Sequence, residues 1–173
     1  MSIHIIIDGY NLIRQSNSLS DLDRQDIQLG REALLDTLAA YQRIKRHKVT
    51  VVFDGTNAPP FSQHENRVKG IKVKFSRNDE LADSVIKRMV NREREKALVV
   101  SSDLDIVNFA AANGAATIRS PDFEEKMTMA VYMETKGVER EDQGEWLPTT
   151  KKKGPRKRLS KRKRRNRIKI KKL

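Results

Sequence analysis

Five short apolar runs punctuate the chain, and the stretches between them return apolar residues at helical spacing. Residues 3–7 are almost all isoleucine and end at Asp8-Gly9, the signature of a buried strand followed by a turn. Residues 29–46 set Leu34, Leu35, Leu38, Tyr41 and Ile44 on one face of a helix, and residues 49–53 form a second buried strand closed by Asp54-Gly55. Residues 57–70 contain Pro59-Pro60 and show no period, so they read as a loop. Ile71, Val73 and Phe75 alternate with Lys72 and Lys74, which predicts a half-exposed strand. Over 79–94 a helix is predicted, with Leu81, Val85 and Met89 on one stripe, Ala82, Ile86 and Val90 beside it, and Asp79 as N-cap. Residues 97–100 are an apolar strand leading into Ser101-Ser102-Asp103; a helix over 106–112 stops at Asn113-Gly114; residues 115–118 are a last short strand. Pro121 opens a final helix to about residue 135, with Ser120 as its expected N-cap.

Strands alternating with helices require crossover connections, so the expected class is α/β, with a mainly parallel sheet covered on both faces. No internal repeat is visible. The pattern weakens after Lys136, which divides the chain into a domain over 1–136, a linker over 137–150 and a tail over 151–173. Trp146 is read as packing the linker onto the domain, with base stacking as the alternative.

Charge changes this picture at one end only. The chain holds 36 Lys and Arg against 23 Asp and Glu, a net of +13, yet residues 1–150 sum to −2 because residues 151–173 carry 15 cations and no acid. Like-charge blocks of this kind are expected to be disordered until they meet a partner. A merely solvated tail is the plain reading, and a polyanion, RNA or the ribosome, is the preferred one. The candidate RNA-binding residues are Lys151, Lys152, Lys153, Arg156, Lys157, Arg158, Lys161, Arg162, Lys163, Arg164, Arg165 and Arg167. The absence of cysteine excludes disulfides and thiolate metal sites, and a cytoplasmic setting is expected. No apolar run approaches the roughly 18 residues that a membrane crossing needs. The opening residues show neither a basic start nor a small-residue cleavage site, so no signal peptide is expected.

In parallel α/β sheets, ligands bind beyond the carboxyl ends of the strands. Three predicted strands run into aspartate there: Asp8, Asp54 and, through two serines, Asp103. Asp83 lies one turn into its helix, on the flank of the apolar stripe and not opposite it. Each acid also has an ordinary explanation. Asp8-Gly9 and Asp54-Gly55 are common turn pairs, and Asp103 and Asp105 suit the start of a helix. Gathered at one edge, however, such carboxylates repel unless something positive sits among them. Hard oxygen donors without His or Cys favour Mg²⁺ or Mn²⁺. His4, His47 and His64 have no partner at ligand spacing, and no phosphate loop is present. Phe53-Asp54-Gly55-Thr56 is superficially similar to the haloacid-dehalogenase signature, but Val52 stands where that family needs its nucleophilic aspartate.

Residues 5–13, Ile-Ile-Ile-Asp-Gly-Tyr-Asn-Leu-Ile, resemble the opening motif of the NYN domain in its YacP-like branch, within the PIN-like nucleases. Val51-Val52-Phe53-Asp54 resembles the second strand of that family, Glu80 to Ile86 its helical acid motif, and Val99 to Asp103 its Ser-Asp motif, all in family order. The resemblance implies a PIN-like three-layer fold with a five-stranded sheet of order 3-2-1-4-5 and one or two divalent ions. It implies metal binding by Asp8, Asp83 and Asp103, with Asp105 as a further acid of the wider PIN-like pattern. Asn11 would orient Asp8 or contact phosphate, Ser102 would hold a water on the metal, and Asp54 and Glu80 would support the ligands or add to them. The function so implied is a metal-dependent endoribonuclease that leaves a 5′-phosphate and a 3′-hydroxyl, with the ribosome as a candidate setting. Its main rival is a non-catalytic RNA- or ribosome-binding factor on a degenerate nuclease fold. A toxin-like PIN protein acting on one transfer RNA is a third reading. A nuclear-import signal over 157–165 is a fourth, disfavoured by the bacterial look of the domain. The long basic tail departs from the short form of the family.

Overall fold

The computed structural model describes residues 3–58, 65–77, 79–136 and 160–173, apart from the side chain of Asn57. Six strands form one sheet: β1 (His4–Asp8), β2 (Lys48–Phe53), β3 (Glu65–Val68), β4 (Ile71–Phe75), β5 (Ala97–Val100) and β6 (Ala116–Ile118). The helices are α1 (Gly9–Gln15), α2 (Asn17–Gln25), α3 (Ile27–Lys45), α4 (Ala82–Glu93), α5 (Leu104–Ala112), α6 (Ser120–Thr135) and α7 (Lys161–Lys171). The sheet order is β3-β4-β2-β1-β5-β6, and every pairing is parallel except β3 with β4.

Alternation along each strand sorts the core into two layers. Ile5, Ile7, Val49, Val51, Phe53, Leu98 and Val100 face α1, α3 and α6, together with Leu34, Leu38, Tyr41 and Phe123. Ile6, Val52 and Val99 face α4 and α5, together with Val85, Ile86, Val90 and Ile106. The chain thus reaches β2 across one face and β5 across the other, which makes the gap between the carboxyl ends of β1 and β5 a topological switch point.

Without β3, the remaining strands lie in the expected order 3-2-1-4-5. The sixth strand is a correction: residues 65–68, expected within a loop, pair antiparallel with β4, Glu65 opposite Lys74. Glu-Asn-Arg-Val has no apolar alternation because β3 is an edge strand with three exposed residues, and Glu65 is held there by ion pairs to Lys72 and Lys74. The helices α1 and α2 were also invisible to periodicity. Each is only about two turns long, and Ser16 ends the first while its hydroxyl caps the second through Leu19 N–H. The α4 helix starts at Ala82, so Asp79 is not its N-cap; Leu81 occupies that position, 65% exposed instead of on the core stripe. In α6 the N-cap is Arg119, and Ser120 is the first helical residue.

The largest departure lies in the tail. Residues 160–173 are not a solvated appendage; they form α7 and its continuation, packed along β6 and under the amino edge of the sheet. The Asn166 side chain receives Thr117 N–H at 2.8 Å and donates to Thr117 C=O at 3.3 Å, so it satisfies both backbone groups of an edge strand. Leu173 is buried in the α3–α6 core, and its carbonyl accepts from Tyr41 Oη at 3.3 Å. Asn166, Ile170 and Leu173, with Lys169 reaching the Glu95 and Ala97 carbonyls, hold down a helix whose other charges are exposed. Trp146, the linker and the candidates from Lys151 to Arg158 lie outside the described residues. Among the described residues no helix is long and apolar enough to cross a membrane.

Candidate active site

Asp8 ends β1 and at the same time caps α1: its Oδ1 accepts Asn11 N–H at 3.2 Å. Gly9 follows it because a Cβ there would stand 2.3 Å from the Phe53 ring. The other oxygen of Asp8 accepts the hydroxyl of Ser101, at the end of β5, at 3.2 Å. Ser101 Oγ in turn accepts Asp103 N–H at 3.1 Å, which joins the two strand ends at the switch point through one buried hydroxyl. Asp103 caps α5, receiving the N–H groups of Asp105 and Ile106. Asn11 completes the corner: its side-chain oxygen accepts Ser102 N–H at 2.9 Å and Ser120 Oγ at 2.7 Å. Ser102 donates its hydroxyl to Gln15 at 2.9 Å and accepts Ser120 N–H at 3.2 Å. Asn11 and Ser102 therefore fasten the β1, β5 and β6 corners to one another.

The carboxylates sense one another. Asp8 is held protonated up to about 6, first because it is buried and then because Asp83 and Asp103 lie nearby, against the opposing hydrogen bonds from Asn11 and Ser101. Burial also raises Asp83, and Asp103 and Asp105 push it further, with Lys87 as the counterweight. Lys87, one turn along α4 from Asp83, forms an ion pair with Asp105 and lies 5.7 Å from the Phe109 ring centroid. Asp8, Asp83, Asp103 and Asp105 thus share one electrostatic neighbourhood assembled from β1, α4 and the start of α5.

Two candidates stand apart. Asp54 turns back on Thr56, accepting both its N–H and its hydroxyl. Glu80 pairs with Arg88, whose guanidinium keeps its carboxyl below the usual range. Ser101, Ser120, Gln15 and Lys87 were not singled out from sequence. Only Lys87 left a signal there, an acid–base spacing of four residues on one helix face.

An all-carboxylate donor set whose repulsion Lys87 offsets only in part suits a hard divalent cation in kind. Among the described residues no three acidic or imidazole groups stand within reach of one ion, so closing on one requires these partly exposed side chains to rotate.

A three-layer fold with this sheet order and aspartates gathered beside the switch point is of the PIN-like class. The family model of the YacP-like NYN domain matches residues 5–172, α7 included, and the chain belongs to that family. It is 28% identical to the protein YacP of Bacillus subtilis (strain 168) over 85 residues, 49% of this chain and 49% of that protein. The chain thus spans about half the length of the curated relative it matches. The crystal structure of Rae1 (YacP) from Bacillus subtilis superposes with a TM-score of 0.67 over 80% of both chains at 24% identity. The crystal structure of a tryptophan-to-leucine mutant of the same Rae1 gives 0.65 over 78% of this chain and 80% of that one at 22% identity. At these identities the structural likeness is one of fold.

Proposed function

We propose that this protein is a divalent-metal-dependent endoribonuclease acting in the cytoplasm, with RNA on or near the ribosome as its substrate. The observation that carries the reading is the gathering of Asp8, Asp83 and Asp103, from the end of β1, the start of α4 and the cap of α5, beside the switch point, near enough for the last two to act on Asp8. Family membership supports the reaction class, and the cations of α7 support RNA. In the reaction water adds to phosphorus and the P–O3′ bond breaks, leaving a 5′-phosphate and a 3′-hydroxyl. Asp8, Asp83 and Asp103 would hold the cation, with Asp105 as a further oxygen donor, and Asn11 fixes Asp8 through its backbone N–H. The chemistry that Mg²⁺ or Mn²⁺ would supply there is a lowered pKa for water and a counter-charge to the one building on the phosphodiester. Lys87 shields Asp105 and tempers the repulsion around Asp83.

The test compares wild type with Asp8→Asn and Asp103→Asn on total RNA with Mn²⁺. Wild type is expected to cut, chelator to stop it, and each variant to lose about 10²-fold or more, the scale of losing a preorganised charge-stabilising group. Cutting that persists in both variants would place the chemistry elsewhere. The spacing of the acids favours one rival, an RNA- or ribosome-binding factor without catalysis. Wild type that binds RNA and never cuts it with either metal would establish that rival.

A further inference from the structure

A groove of about 320 Å³ runs between the end of α5 and the face of α7. Its floor is Ala111, Ala112 and Gly114, continuing into the first residues of β6, and its wall is Lys161, Arg162 and Arg165. We propose that this groove is a phosphate-binding subsite that anchors RNA away from the carboxylates. The inference deepens the RNA-directed reading above and rests on it.

The floor carries no atom beyond a methyl, so a ligand backbone can lie against it. The helix that carries the wall is anchored before any ligand arrives. Asn166 is locked onto Thr117, Lys169 Nζ donates to the Glu95 and Ala97 carbonyls, and Arg165 pairs with Glu95. The backbone that presents the cations then has little ordering entropy left for binding to lose. Four cations border the groove, and Glu95 is the one carboxylate that pairs with any of them among the described residues. Burial lowers the pKa of Lys169, and the charge of Arg165 one turn away lowers it further. An apolar floor beside a cationic wall matches a chain that alternates ribose with phosphate. Contacts of this kind position a nucleic acid without reading its bases.

The groove also sets a distance. Asp103 caps the amino end of α5 and the groove flanks its carboxyl end. Nine helical residues span about 13 Å, which is about four nucleotides of stacked strand at ~3.4 Å each. The anchored phosphate is therefore not the reacting one. A structural rival exists, because cations near a helix carboxyl end also favour its dipole.

Binding of a fluorescently labelled 20-nucleotide RNA to the full chain, in EDTA, separates these ideas. Lys161→Gln with Arg162→Gln is expected to weaken affinity about tenfold at moderate salt and to flatten the salt slope by about two phosphate contacts. Ala112→Glu, which places a carboxylate on the exposed floor without touching α7, is expected to do the same. The control pair Lys163→Gln with Arg167→Gln removes equal charge from the opposite face of α7 and is expected to cost no more than about twofold. Equal losses in the control pair would mean diffuse tail charge and overturn the groove. A lowered Tm with unchanged affinity in Lys161→Gln/Arg162→Gln would assign those cations to the α5 dipole and overturn it as well. No binding by wild type also overturns it. Because nothing is cut in EDTA, each of these results is independent of whether the acid site hydrolyses RNA.

Discussion

Asp8 is a carboxylate that its surroundings hold against its ionised form. Its pKa stands at about 6 against an ordinary 3.8, chiefly through burial. Between these values the folded chain keeps a proton that the unfolded chain has released, so stability falls as pH rises through this window. Above about 6 both states are ionised and the penalty is complete, at most about 3 kcal/mol. In EDTA, Asp8→Asn is therefore expected to melt higher than wild type at pH 7.5, with the advantage shrinking towards pH 4; melts across that range check it. Added Mn²⁺ should raise the wild-type Tm and leave that of Asp8→Asn nearly unmoved. Gly9→Ala acts in the opposite sense. Its methyl meets the Phe53 ring, which also packs against Tyr10 at 5.1 Å, so overpacking should cost about 1–3 kcal/mol in urea unfolding. The aspartates could be read from sequence because strand ends and helix flanks are local patterns. Ser101 and Ser120 could not, since their partners Asp8 and Asn11 are 93 and 109 residues away and only the sheet brings them together.

At the level of elements, α7 shows how a charged sequence conceals a packed one. Eight of its eleven residues are cationic, and like charges at that density normally keep a segment unfolded. Apart from Lys169 and Arg165, which reach Glu95 and Ala97, what secures it is sparse: one amide on a strand edge, one half-buried isoleucine and Leu173, 4% exposed. None of the three forms a period, so composition outweighed them in the reading of the chain. The same holds for β3, where polar residues form an edge strand that needs no core face. The parallel strands and α3 to α6 were readable because each buries a regular apolar face. Leu173→Ala should consequently cost about 2–4 kcal/mol, as for other buried leucines. Lys163→Gln, on the same segment but exposed, should change stability by less than about 0.5 kcal/mol. Equal Tm values for the two variants would show that the segment is detachable after all.

At the scale of the molecule, the candidate-site carboxylates and the cations of α7 lie at opposite ends of the sheet strands among the described residues. The carboxylates occupy the carboxyl edge, and α7 lies against β6 and the amino ends of the strands. If RNA is the substrate proposed above, one edge repels it and the other flank attracts it, and its residence depends on cations that do not touch the reacting phosphate. Ionic strength should then act on capture more than on chemistry, because counterion release accompanies every phosphate neutralised on α7. For the proposed nuclease, raising salt from 50 to 200 mM is expected to increase KM steeply while single-turnover cleavage at saturating protein changes by less than about threefold. Lys161→Gln/Arg162→Gln should raise KM at low salt, reduce its salt dependence and leave the saturated rate alone. Steady-state and single-turnover measurements on one RNA decide it. A saturated rate that fell together with affinity would mean that α7 reaches the reacting phosphate, and that the two charged regions work as a single site.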